Sequence, residues 1–89
     1  MDKRYIFREF HIPEHMHEAL ARYIDEGLPP GDFLTAIICN DLEQAVAHAD
    51  PKNMRNIPAF VLYFCSLPSA CWGSKERMVT WMKLKGGEK

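Results

Sequence analysis

The stretch "GDFLTAIICNDLEQAVAHADP", residues 31–51, carries the longest helical repeat of apolar residues in the chain, and its interpretation decides the fold. Its apolar residues recur at a spacing that places them on one broad stripe of a helix. The spacing predicts one helix that begins at about Pro30 or Asp32 and ends at Ala49. The predicted stripe consists of Phe33, Leu34, Ile37, Ile38, Leu42, Ala45, Val46 and Ala49.

Asn40 and Asp41 place two residues of low helix propensity in the middle of this helix. Asp41 borders the apolar stripe, and a partly buried carboxylate requires hydrogen-bond partners. We therefore expect Asp41 to cap or brace a neighbouring segment. The alternative, that the two residues have a functional role, stays open.

The sequence before this stretch predicts another helix. Pro13 is well suited to a first helical position, and Gly27 to the position just after a helix end. Between them, apolar residues again follow helical spacing, and they include Met16, Leu20 and Tyr23.

The sequence after residue 50 predicts two more helices. Asp50 and Pro51 repeat a helix start signal, but Pro58 follows too soon for a regular helix interior. We expect either a kinked third helix or a short turn of 51–55 followed by a helix over 57–66 with Asn56 as its N-cap. A buried strand is the alternative for this apolar run. Ser74 predicts the N-cap of a last helix over about 75–84.

Residues 5–12, "YIFREFHI", are rich in aromatic and β-branched residues and predict a short strand or an extended arm. A lone strand needs a partner, so the arm either packs on the helices or pairs with a second copy in a homodimer. The predicted fold is all-α, a small bundle of three to four helices with this arm. One domain covers 1–89, with an arm over 1–12, a core over 13–84 and a frayed tail over 85–89.

The charges of the chain are divided between its two halves. Residues 10–50 carry eight carboxylates and one arginine, whereas residues 51–89 carry seven basic residues and two acids. Either the halves attract each other or the acidic part docks on a basic partner. The residues we expect to bind such a partner are Asp25, Glu26, Asp32 and Glu43.

Three histidines in "HIPEHMH", residues 11–17, suggest a metal site. However, His15 and His17 are two residues apart and point to opposite sides of a helix. We expect surface histidines at a helix start, and neither a metal nor another cofactor.

The three cysteines form no C-x-x-C pair, which is typical of free thiols in a reducing compartment. Cys39 and Cys65 lie in apolar stripes, and Cys39 is nine residues from His48 on the predicted helix, too far to touch it. We therefore expect no enzymatic activity. The longest apolar run is 11 residues, and a membrane span needs about 20, so the expected location is the cytoplasm.

The basic C-terminal segment supports a different function. Basic and aromatic side chains alternate there, as they do in proteins that bind nucleic acids. This alternative is a small DNA-binding or regulatory protein that uses Lys75, Arg77, Lys83 and Lys85 with Trp72 and Trp81.

The pattern "YIDEGLPPGDFL", "NDL", "AD" and "CWGS", followed by Trp81, resembles a group of short uncharacterised proteins from phages and prophages, and the resemblance covers residues 12–82, most of the chain. The resemblance implies an accessory protein of a mobile element, without implying any catalytic residue. We expect a non-enzymatic protein that binds a host protein complex, for example as an anti-CRISPR-like inhibitor that covers a basic nucleic-acid-binding groove. A phage structural or assembly protein is a further alternative.

Overall fold

The computed structural model describes residues 6–86, and for Phe7 the backbone only. The chain is an all-α domain with a short N-terminal β-hairpin, which confirms the predicted fold class. Two of the four predicted helices are each divided in two. The α-helices are α1 (His17–Glu26), α2 (Asp32–Ile38), α3 (Leu42–His48), α4 (Pro51–Arg55), α5 (Ile57–Cys65) and α6 (Lys75–Gly86), with 3-10 turns at Glu14–Met16 and Ser69–Cys71.

The core is formed mainly by buried side chains of α1, α2 and α5. Phe33 of α2 meets Phe60 of α5 edge to face, with ring centroids 5.0 Å apart. Tyr23 of α1 is fully buried and donates its hydroxyl to the Cys71 carbonyl at 2.7 Å. This hydrogen bond fixes the loop before α6 to the centre of the domain. The other fully buried large side chains are Phe60, Phe64, Ile12, Leu20, Leu34, Ile38 and Cys71.

The predicted single helix over residues 32–49 is wrong, because the chain turns back at Asn40 and Asp41. Asn40 adopts a left-handed conformation with φ of 62°, which asparagine tolerates better than most residues. The Asp41 amide then donates to the Ala36 carbonyl at 2.8 Å and ends α2. The Asp41 side chain accepts from the Gln44 amide at 3.3 Å and starts α3. The expectation that Asp41 caps a neighbouring segment is confirmed, although Asp41 is exposed.

Because of this turn, part of the predicted apolar stripe is exposed instead of buried. The α2 half of the stripe is buried, whereas in α3 only Ala45 is buried. Leu42 is 68% exposed and Val46 is 43% exposed. We use the name "α2–α3 hairpin" for residues 32–48, in which the two helices lie side by side.

The third predicted helix is divided at Asn56 into two helices, which agrees with the alternative of a short turn over 51–55 followed by a helix. The Asp50 side chain caps α4 by accepting from the Asn53 amide at 2.7 Å, and Pro58 lies in the first turn of α5. Asn56 precedes α5, but its side chain does not cap that helix. It accepts from the His11 amide at 3.0 Å and donates to the Lys52 carbonyl at 2.8 Å.

The predicted arm is a hairpin of two short strands, β1 (Ile6–Phe7) and β2 (Phe10–His11), which packs on α5. Tyr5 and the rest of residues 1–5 lie outside the described residues. The His11 amide of β2 donates to the Asn56 side chain within the domain. Pairing of the arm with a second copy stays a prediction.

Helix α6 begins where Ser74 predicts, because the Ser74 hydroxyl accepts from the Arg77 amide at 3.1 Å. It continues to Gly86, so the first two residues of the predicted tail are helical and residues 87–89 lie outside the described part. Between residues 6 and 86, no helix is long and apolar enough to cross a membrane.

Candidate binding surface on the α2–α3 hairpin

The four acidic residues predicted to bind a partner are exposed, and they lie on three helices. Asp25 and Glu26 form the C-terminal end of α1, and Asp32 begins α2. Glu43 lies in the first turn of α3. Asp32 and Glu43 start two helices that run in opposite directions, so the length of a seven-residue helix, about 10 Å, separates them.

The acidic residues have few cationic neighbours. From residue 23 to residue 51 the chain carries six carboxylates and neither lysine nor arginine. Asp32 has His48 at 4.0 Å, and within residues 6–86 no lysine or arginine pairs with Asp25, Glu26 or Glu43. These carboxylates are therefore available to a cationic partner surface.

The turn between α2 and α3 carries an apolar side chain between two of these acids. Leu42 follows Asp41 and precedes Glu43, and its side chain is mostly exposed. Val46 lies one turn further along α3, on the same face as Leu42. We use the name "hairpin tip" for Asp41, Leu42, Glu43 and Val46.

An apolar groove extends from the hairpin tip to α5. The groove is a small cavity of about 40 Å³ between Leu42, Ile57, Val61 and Trp72. Trp72 is itself packed on Phe64, with ring centroids 5.8 Å apart. The exposed leucine therefore adjoins a half-buried apolar surface that includes residues of α5.

A polar cleft of about 410 Å³ lies on the other side of the hairpin, next to the start of α6. The fold brings Cys39 and His48 into this cleft together, whereas the sequence placed them far apart on one helix. Burial raises the pKa of the Cys39 thiol; Lys75 opposes this shift and Asp41 adds to it. The Cys39 Sγ donates towards the Met78 Sδ at 3.8 Å.

A thiol with a raised pKa that faces a thioether is a poor nucleophile, since the reactive form is the thiolate. Cys71 is also buried, and burial raises the pKa of its thiol. Cys65 is exposed, so its predicted place in an apolar stripe is wrong. For Cys39 and Cys71, burial therefore disfavours the reactive thiolate.

The histidines of residues 11–17 join segments of the fold. His15 Nε2 lies 3.1 Å from Asp50 Oδ2, and His17 Nε2 lies 3.0 Å from the Ile12 carbonyl oxygen. In the part of the chain that the structure describes, no three His, Cys, Asp or Glu side chains are placed to hold a metal ion.

Two of the residues proposed for nucleic-acid binding make contacts inside the fold. Trp81 donates its indole N–H to the carbonyls of Tyr23 and Ile24, at 3.3 and 3.2 Å. Arg77 reaches the carbonyls of Ser69 and Trp72 at 3.3 and 3.4 Å. The Trp81 indole N–H and one nitrogen of the Arg77 guanidinium are thus used within the fold.

Sequence reasoning missed Leu42 and Val46 because it placed them in the core. One signal was available: Asp41 and Gln44 have the spacing of a capping box, in which a side-chain acceptor is followed three residues later by Glu or Gln. That spacing marks a helix start at Asp41. Comparisons with protein-family models, curated proteins and solved structures find no match to this chain.

Proposed function

We propose that this chain is a non-enzymatic protein-binding module, and that the hairpin tip is the part which contacts its partner. The observation that carries the proposal is the exposure of Leu42 between Asp41 and Glu43. A large apolar side chain between two exposed carboxylates fits a partner surface that has an apolar pocket surrounded by basic residues.

The hairpin tip can supply part of the free energy of binding. Complete burial of a leucine side chain contributes roughly 1.5–3 kcal/mol. The carboxylates add attraction that depends on ionic strength, and they raise the association rate with a basic partner. Val46 and the groove next to Ile57 and Val61 extend the apolar contact beyond one residue.

The wider proposal places this module in a bacterial cytoplasm as a phage or prophage accessory protein. Its pattern resemblance to such proteins and its acidic residues support a host protein complex with a basic nucleic-acid-binding groove as the partner. In its most specific form, the chain inhibits a defence complex by covering that groove. Asp25, Glu26 and Asp32 extend the acidic surface beyond the hairpin tip.

Affinity capture from host lysate tests the proposal with pairs of matched variants. Leu42→Ala has a control in Leu84→Ala, because Leu84 of α6 is 69% exposed, close to the 68% of Leu42. Glu43→Lys has a control in Glu76→Lys, because each acid lies in the first turn of its helix. We expect a captured protein that both hairpin variants lose and both control variants retain.

Two results would contradict the proposal. One is a captured protein that the hairpin variants and the control variants retain equally. The other is the capture of nothing beyond chaperones.

Reversal of charge at Asp25, Glu26 and Asp32 tests the wider acidic surface, which would be disproved by unchanged binding. Salt-dependent binding to bare duplex DNA would instead favour the DNA-binding alternative.

A further inference from the structure

A second cleft lies on the side of the domain where the N-terminal segment meets α4. Its volume is about 530 Å³, which falls within the range of small-molecule sites. One wall comes from the segment 11–15 and the other from α4 and the residue after it. The side chains that line the cleft are His11, Pro13, Glu14, His15, Lys52, Arg55 and Asn56.

The polar groups of this cleft are mainly donors of hydrogen bonds. Lys52 and Arg55 are three residues apart on α4, so they share a face of that helix. No carboxylate of residues 6–86 lies within ion-pair distance of either side chain. His11 and His15 bring imidazole rings from the opposite wall, and Glu14 is the one carboxylate of the lining.

Hydrogen bonds across the cleft hold its two walls together. The Asn56 side chain accepts from the His11 amide and donates to the Lys52 carbonyl, which joins the two walls directly. His15 is joined to Asp50, the residue that caps α4. The cations are therefore carried on a backbone that is fixed before any ligand arrives, which lowers the entropic cost of binding.

We propose that this cleft binds a small phosphate monoester, with the phosphate group between Lys52 and Arg55. A guanidinium can donate two parallel hydrogen bonds to a phosphate, and an ammonium supplies a compact charge beside it. The imidazole of His11 can offer a further donor, whereas His15 Nε2 is already paired with Asp50. The cleft is large enough for the organic part of the ester as well as for the phosphate.

This site is separate from the hairpin tip, and the two share no residue. The phosphate proposal therefore stands or fails independently of the protein-binding proposal. It also differs from the DNA-binding alternative, because it uses α4 instead of α6 and a cleft instead of an extended basic surface.

Titrations followed by NMR test the site with four probes: inorganic phosphate, adenosine monophosphate, adenosine and a short DNA duplex. We expect phosphate and the monophosphate to give saturable shifts at His11, His15, Lys52 and Arg55. Adenosine, which lacks the phosphate, is expected to give none.

The matched variants are the pair Lys52→Ala/Arg55→Ala and the control pair Lys75→Ala/Lys83→Ala, which removes the same number of charges elsewhere. All four side chains are exposed, and circular dichroism checks that each variant is folded. We expect the first pair to weaken binding of the monophosphate at least about tenfold and the control pair to leave it unchanged.

Three outcomes would overturn the proposal. The first is no saturable shift with phosphate or the monophosphate up to about 10 mM. The second is equal weakening in the two variant pairs, which indicates net charge instead of a site. The third is binding of the duplex, but not of the monophosphate, through Lys52 and Arg55, which indicates a surface for nucleic acid.

Discussion

Two substitutions at Asn40 test the turn. The order of stability of the two variants is expected to be opposite in a helix that is broken at residue 40 and in a continuous helix. In the structure, Asn40 is left-handed and ends α2, so that the chain can reverse. In a continuous helix, as periodicity alone indicates, residue 40 would have ordinary helical geometry. The substitutions are Asn40→Gly and Asn40→Ala.

The magnitudes follow from backbone energetics. A left-handed conformation costs an alanine roughly 1–2 kcal/mol, whereas glycine adopts it without this cost. Glycine loses about 0.5–1 kcal/mol more conformational entropy than alanine on folding. With a left-handed residue 40, the glycine variant should be more stable than the alanine variant by about 0.5–1 kcal/mol. A continuous helix predicts the reverse, with alanine favoured by about 1 kcal/mol.

Urea unfolding followed by far-ultraviolet circular dichroism measures this difference directly. We expect the unfolding midpoint of Asn40→Gly to exceed that of Asn40→Ala by roughly 0.5 M. Comparison of two variants at one position removes the contribution of the asparagine side chain. A higher midpoint for Asn40→Ala would refute the break, and with it the exposure of Leu42 on which the proposed function depends.

Two further predictions concern the core and the cap of α4. Tyr23→Phe should lower the free energy of unfolding by about 1–3 kcal/mol in urea, because the buried Cys71 carbonyl loses its donor. Burial raises the pKa of the Tyr23 hydroxyl, so the stabilising effect of Tyr23 is present below about pH 10 and is lost as the pH rises further. Above about pH 10, Tyr23→Phe should therefore lose less stability than the unsubstituted protein. The Asn53 amide, helped by His15, lowers the pKa of Asp50, which stabilises the fold above about pH 4. Asp50→Asn should therefore reduce the loss of stability on acidification. Urea midpoints of the variant and of the unsubstituted protein, measured from about pH 5 to pH 2, test this prediction. An equal dependence of the two midpoints on pH would contradict it.

The ends of the helices could largely be predicted from single residues. Asp50 and Ser74 cap the helices that their positions indicate, and Gly27 has the left-handed φ of 69° expected just after a helix end. Each of these signals acts through the adjacent backbone, so it can be recognised in a short stretch of sequence. The all-α class follows from the same local signals.

The candidate surface could not be predicted, because its position depends on how one turn redirects a long apolar repeat. Leu42 and Val46 fit the same helical period as Ile38 and Ala45, yet the reversal at Asn40 turns Leu42 and Val46 outward. The role of Asn56 was also hidden, since its partner His11 is 45 residues away. Contacts at such a separation leave no local pattern in the sequence.

The central claim is that the hairpin tip contacts a protein partner, and hydrogen exchange of the complex tests it most directly. The chain is bound to the partner identified by capture, and amide exchange is compared with that of the free chain. We predict that exchange slows from residue 41 to residue 47, in the turn and α3, and stays unchanged in α6. Slower exchange confined to α6, with α3 unchanged, would contradict the claim and would favour binding through the basic C-terminal helix.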